Sequence, residues 1–266
     1  MGVKSRFSAG STIRYISVIP AAYVSTTGLQ HRILTLAPQL QALFDDGPVL
    51  DYLRTVEIFL DGHSNEVLTF LFTHSEGKGV ADIWKPIFDE AGLSPMAYAL
   101  SHIPLAYNDW SILDEMITTG KRVVVFMGFG ADVSQAPLDI PEFELIWETP
   151  YGITNSSFSR SIDRIWDALP TEDHSLNHNW TFPTTLIGLI GVEGPEIIVS
   201  DPGDAEETNE VPKILANVAE CAPFAHNRNP NFVLLDLVKK GEAFWAMDIL
   251  NGFQYVRSSS ISGNVR

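Results

Sequence analysis

Apolar residues gather in runs that open on turn residues and close on a polar or small one. Gly120-Lys121-Arg122 leads into Val123-Val124-Val125-Phe126-Met127, and Asn229-Pro230-Asn231 leads into a strand from Phe232 to Val238 that carries Asp236 after four apolar residues. A strand that is apolar at every position has no solvent face, which is the pattern of a buried parallel strand. Val67 to Phe72 reads the same way, with the polar cluster Thr73-His74-Ser75-Glu76 behind it. Between these runs the period changes. Leu50, Leu53, Val56, Phe59 and Leu60 fall at helical spacing and predict a helix from Val49 to Leu60, ended by Asp61-Gly62. Ile83 to Glu90 predicts a second helix, closed by Gly92 and Pro95. Asp109 is expected to N-cap a third over Ile112 to Thr118, where Asp114 and Glu115 suit the positive end of the dipole. Further strands are expected at Ile13 to Ile19, Phe143 to Trp147, Ser175 to Asn179 and Glu196 to Ser200, and further helices at Thr208 to Ala219 and Glu242 to Leu250. Short strands alternating with helices predict a parallel α/β sheet, with its chemistry at the C-terminal ends of the strands.

Composition narrows the class of protein. The 266 residues are 45% apolar, enough to bury a substantial core, and the net charge of −16 disfavours a nucleic-acid partner. No apolar run approaches the roughly 18 to 20 residues of a membrane span. Lys4 and Arg6 could open a signal peptide, but Phe7 to Ser11 is too polar to continue it, so none is recognised. Cys221 is the single cysteine, so no intrachain disulfide is expected. Asn155-Ser156-Ser157 and Asn179-Trp180-Thr181 match the glycosylation triplet. No internal repeat or low-complexity stretch is visible, and the tail around Ser258-Ser259-Ser260 is expected to fray.

The usual signatures of nucleotide binding, zinc hydrolysis and serine hydrolysis are absent. Gly128-Phe129-Gly130 reads as a tight turn after a strand. Among the acid/base candidates, His178 lies in Leu176-Asn177-His178-Asn179 and His74 follows a strand, whereas His31, His63, His102, His174 and His226 sit in turn-like contexts that favour solvation. Glu148, Asp201 and Asp236 are carboxylates at strand ends. Asp236 emerges beside a buried strand, where it could orient an imidazole or make a structural hydrogen bond. The loop Asp201, Asp204, Glu206, Glu207 could bind a hard cation or form a solvated acidic surface. Asp236 and His178 are therefore the catalytic candidates, Asn177, Glu148 and His74 the substrate-binding ones, and no metal or cofactor is expected.

A series of motifs carries a resemblance. Leu43-Phe44-Asp45-Asp46-Gly47-Pro48-Val49-Leu50-Asp51-Tyr52-Leu53, Asn65-Glu66-Val67, Asp109-Trp110, Gly120 to Met127, Ile146-Trp147-Glu148-Thr149-Pro150, Asp163-Arg164 and Asn229 to Asp236 occur in the order and spacing of the fungal phosphatidylinositol-specific phospholipase C-like phosphodiesterases. The chain resembles that family over residues 42–253, with 1–41 as an aberrant N-terminal segment and 254–266 as a flexible tail. The resemblance implies a TIM-type (β/α) barrel, incomplete here at its N-terminal strands. It also implies metal-independent cleavage of a lipid or small-molecule phosphodiester by two histidines, a place in lipid metabolism, peripheral membrane contact, and secretion in many members. The expected histidine positions hold Ile19-Pro20 and Pro38, neither able to transfer a proton. The family's aspartate after the strand ending at Met127 is Gly128, and its cysteine near Arg160, the implied partner of Cys221, is missing. By codon degeneracy, the segment Leu34 to Gln41 can be read one nucleotide later to give His-Leu-His-His-Ser-Cys, close to the missing motif. The sequence thus leaves a phosphoric diester hydrolase by family beside an inactive relative or misassembled gene product.

Overall fold

The computed structural model describes residues 14–15, 22–25, 32–35, 45–73, 80–103, 105, 109–147, 149–150, 161–163, 176–181, 184–187, 197–200, 203–225, 227, 229, 232–235 and 239–252. In chain order they form β1 (Arg14–Tyr15), β2 (Ala22–Ser25), β3 (Arg32–Thr35), β4 (Asp45–Pro48), α1 (Val49–Gly62), β5 (Leu68–Thr73), α2 (Val80–Glu90), α3 (Leu113–Thr118) and β6 (Val123–Met127). There follow β7 (Asp139–Pro141), α4 (Glu142–Leu145), β8 (Ile146–Trp147), β9 (Leu176–Thr181), β10 (Thr184–Ile187), β11 (Ile197–Ser200), α5 (Asp204–Thr208), α6 (Val211–Cys221), β12 (Phe232–Leu235) and α7 (Ala243–Leu250).

Two sheets contain parallel strands. In the first, β2, β5, β6 and β7 run parallel in that order, and β3 and β4 extend it past β2 as antiparallel strands. In the second, β8, β9, β12 and β1 are all parallel. β10 and β11 make a separate antiparallel ribbon. The protein is therefore a mixed helix and strand fold with parallel pairing at its centre, as the apolar runs predict. Among the described strands no pairing joins β1 to β2 or β7 to β8.

β6 shows why its sequence is apolar throughout: all five residues are buried, and the pleat sends them to two different cores. Val123, Val125 and Met127 pack with Leu53, Val56 and Leu60 of α1 and with Trp84 and Phe88 of α2. Val124 and Phe126 pack with Leu113 and Met116 of α3 and with Ile140 and Ile146. A third core lies between β12, through Val233 and Leu235, and helices α6 and α7. Just ahead of β6, the Arg122 guanidinium donates through Nη1 to the carbonyls of Leu60 (3.1 Å) and His63 (2.9 Å). Those acceptors stand at the end of α1, where a cation offsets the dipole, and each also accepts a backbone N–H, from His63 and Glu66 respectively. Arg122→Met is expected to lower stability by about 1.5 to 3 kcal/mol in chemical denaturation, the usual worth of hydrogen bonds to a charged donor.

Three sequence expectations are corrected. Phe143 to Trp147 is not one strand: Pro141 is extended and caps a single helical turn, Glu142–Leu145, after which only Ile146–Trp147 pair in the sheet. Asp109 does not cap α3, whose N-cap is Ile112 without a side-chain bond; its carboxylate instead lies 3.7 Å from Nε2 of His102 on the exposed surface. Thr208 to Ala219 is not one helix but the end of α5 and most of α6, broken at Asn209-Glu210, with a proline in the first turn of α6. The strand expected from Phe232 is observed to Leu235, and residues 236–238 lie outside the described ones.

Candidate functional site

Parallel strands direct their C-terminal ends to one side of a sheet, and the register defines what stands there. In the first sheet Phe72, Met127, Pro141 and Ala22 share a level, and Thr73 and Tyr23 lie one step beyond. The Gly128 amide donates to the Phe72 carbonyl at 2.8 Å, carrying the pairing just past β6. Phe129 follows, half exposed. The turn after it is fixed by Asp132, which accepts from the Ser134 hydroxyl (2.5 Å), the Gln135 amide (2.6 Å) and the Ser134 backbone N–H (3.0 Å). These donors favour the ionised form and hold the Asp132 carboxyl below its usual value.

In the second sheet Trp147 is level with Asn177, and His178 is level with Phe232 and, through it, with Arg14. Asn177 and His178 are consecutive on β9 and so belong to opposite faces. Val233 and Leu235 mark the face covered by α6 and α7, and Phe232, His178 and Arg14 hold the alternate register positions. Trp147 packs on Cys221 of α6 and meets Phe224 edge-on at 6.4 Å. Cys221 is a buried, reduced thiol whose Sγ lies 3.9 Å from Asn217 Oδ1. His74, Glu148 and Asp236 lie outside the described residues; each directly follows a strand end, at Thr73, Trp147 and Leu235.

Other sequence candidates take ordinary places. His63 stacks on Phe59 with ring centroids 4.2 Å apart and lies 2.7 Å from the Phe59 carbonyl through Nδ1. Of the acidic loop, Asp204, Glu206 and Glu207 are exposed on α5, and Glu207 pairs with Lys213 at 3.2 Å. Asp201 lies outside the described residues, as does Asn155; Asn179 is inside β9 and paired with Val233, so its triplet is not in a loop.

Sequence reading passed over Asp139. It is the first residue of β7, level with Val125 and Phe70, fully buried, and neither carboxylate oxygen has a hydrogen-bond partner. Burial raises its pKa from 3.8 to about 7. The cue was available: Asp139 is flanked by Leu138 and Ile140, between Pro137 and Pro141, an apolar setting like the one that singled out Asp236. Glu142, three residues on, is also buried.

Helices alternating with strands that pair in parallel define a mixed α/β protein. The PI-PLC X family (PI-PLC X 1) matches residues 23–251, and the chain belongs to that family. It is 34% identical over 220 residues to the PI-PLC X domain-containing protein 1 of Arthroderma benhamiae, covering 79% of this chain and 67% of that protein. A protein of the same organism described as an uncharacterized secreted protein is 30% identical over 80% of this chain and 49% of its own length. A PI-PLC X domain-containing protein of Arabidopsis thaliana is 24% identical over 77% of this chain and 45% of its own length. The chain thus spans about two thirds of the first relative and about half of the other two. No solved structure matches it.

Proposed function

We propose that the chain is a phospholipase C-like barrel that receives a phosphodiester head group at the C-terminal side of its parallel strands and, with its present sequence, holds that group without cleaving it. One observation carries the reading: β12, the last strand, pairs in parallel with β1, the first. Taken with the other parallel pairs, this gives two parallel runs, β2-β5-β6-β7 and β8-β9-β12-β1, which become one sequential round if β1 lies beside β2 and β7 beside β8. A sequential parallel round is the order of a TIM-type barrel, whose sites lie at the C-terminal rim.

In this reading Asp236, Glu148 and His74, each directly after a strand end, contribute to the mouth, whereas His178 is level with Phe232, four residues and about 13 Å below Asp236, and Asn177 belongs to the opposite face of β9. Arg14 shares the level of His178 two strand spacings away, roughly 10 Å, and both stand at the N-terminal end of β12 rather than at the rim. A head group presented by a membrane would be met at the same rim. What stops turnover is Ile19-Pro20 and Pro38 at the positions of the family's histidine pair: no side chain there can take a proton from a hydroxyl or give one to a leaving group. The competing reading, a working phosphoric diester hydrolase, is favoured by a family match that runs over residues 23–251.

The test compares the purified full chain with a version carrying Ile19→His, Pro20→Asn and Pro38→His, on phosphatidylinositol vesicles and on a cyclic inositol phosphate. The unmodified chain is expected to bind without turnover, and the restored version to cleave. Turnover by the unmodified chain would establish the competing reading. Absence of binding and of cleavage in both would overturn the head-group assignment.

A further inference from the structure

We propose that Asp139 is a proton-held latch on β7, so that this strand is held firmest while the carboxyl keeps its proton and loosens as the carboxyl ionises. The argument begins with burial. Asp139 is 0% exposed and both of its side-chain oxygens lack a hydrogen-bond partner. An unpaired carboxylate in such a place is costly, and the group meets the cost by keeping its proton.

Among the described residues no neighbouring charge relieves it. β6 presents only Val123 to Met127, and Phe70 of β5 is level with Asp139 on the far side of Val125. On its own segment stand Glu142, buried, and Glu144, both acids that could only oppose ionisation. Asp132, on the loop before it, is committed to Ser134 and Gln135. Burial is accordingly the sole cause of the displaced titration.

The location makes the proton consequential. β7 is three residues long, stands at the edge of its sheet and is held by three register pairs to β6. The Asp139 amide donates to the Ala136 carbonyl at 2.9 Å, so the residue also closes the turn that enters the strand. The chain runs directly from β7 through α4 and β8 to Thr149, itself buried. Loosening β7 therefore loosens the segment that leads to the proposed rim, although the latch stands whether or not that rim binds a phosphodiester.

An acid whose folded-state pKa, about 7, exceeds its unfolded value, 3.8, binds its proton more tightly in the folded protein. Its contribution to stability is therefore complete below the unfolded value, declines as the pH rises between the two, and is lost above the folded value. Each pH unit in that window changes the folding constant by up to about ten-fold. The overall acidity of the chain also weakens it as pH rises, so the difference between proteins is the readout.

Denaturant unfolding of the full chain is compared with Asp139→Asn and Asp139→Leu from pH 4 to pH 8. Wild type is expected to lose stability by up to about ten-fold per pH unit relative to either variant, with faster exchange of the β7 amides. Parallel pH profiles would overturn the proposal. Should both variants fail to fold, the carboxyl carbon shift of Asp139 in labelled wild-type protein decides: a midpoint near neutrality is expected, and one near 4 would overturn it.

Discussion

Gly241→Ala is expected to lower stability by about 4 kcal/mol, an effect out of scale with a single added methyl. Gly241 stands in the turn before α7 with φ of +77°, a conformation that costs an L-residue about 1 to 2 kcal/mol. The larger part is steric. A Cβ on Gly241 would lie 2.8 Å from the backbone carbon, the carbonyl oxygen and the Cβ of Asn209, none of them the movable end of a long side chain. Nor can Asn209 yield cheaply: it is buried, its carbonyl accepts from the Glu242 N–H at 2.8 Å, and its Nδ2 donates to the Lys240 carbonyl at 3.3 Å. These contacts tie the break between α5 and α6 to the start of α7. Gly252→Ala is the control, since Gly252 has φ of +79° but nothing within 4 Å of an added Cβ. It is expected to cost only about 1 kcal/mol. Equal losses for the two, measured by urea unfolding, would mean that conformation alone and not the approach of Asn209 sets the cost.

That same contact explains part of what the sequence withheld. The run from Thr208 to Ala219 has helical spacing on both sides of Asn209-Glu210, so periodicity alone joins α5 to α6; the break is set by Lys240, Gly241 and Glu242, some thirty residues later. Where a period was carried by burial on one side or on both, it was legible: Val49, Leu53, Val56 and Leu60 line α1, and β6 lies at the predicted place because all five of its residues are enclosed. The strand expected across Phe143 to Trp147 failed for a local reason, since the turn Glu142–Leu145 follows Pro141 and is too short to show a period. As for the proposed site, His178 and Asn177 stand out in the sequence by their polar setting, and only the register reveals that they occupy opposite faces of β9. Asp139 was missed because attention to strand ends overlooks a carboxyl at mid-level in a sheet.

Trp84→Ala is expected to cost about 3 to 5 kcal/mol, the usual range for removing a large buried aromatic. Trp84 is 1% exposed on α2, with its ring centroid 4.5 Å from Phe72 and 6.5 Å from Phe88. Phe72 and Phe88 are already in contact at 6.2 Å, and Phe72 stacks on Phe70 at 5.7 Å, so the neighbours are braced and cannot close fully over the space. The expected loss of melting temperature is on the order of 10 °C for a chain of this size. More informative is where the loss appears. Phe72 accepts the Gly128 amide hydrogen bond at the end of β5, one residue before Thr73 and the segment that holds His74. Removing the indole therefore frees the strand end on the proposed rim, and the Gly128 amide is expected to exchange faster by a larger factor than amides of α6, whose core is separate. If the Gly128 and α6 amides accelerate by the same factor, the two cores unfold as one unit and Trp84 supports the whole fold. A larger factor at Gly128 ties the indole to the rim, the part of the fold where a head group would have to be held.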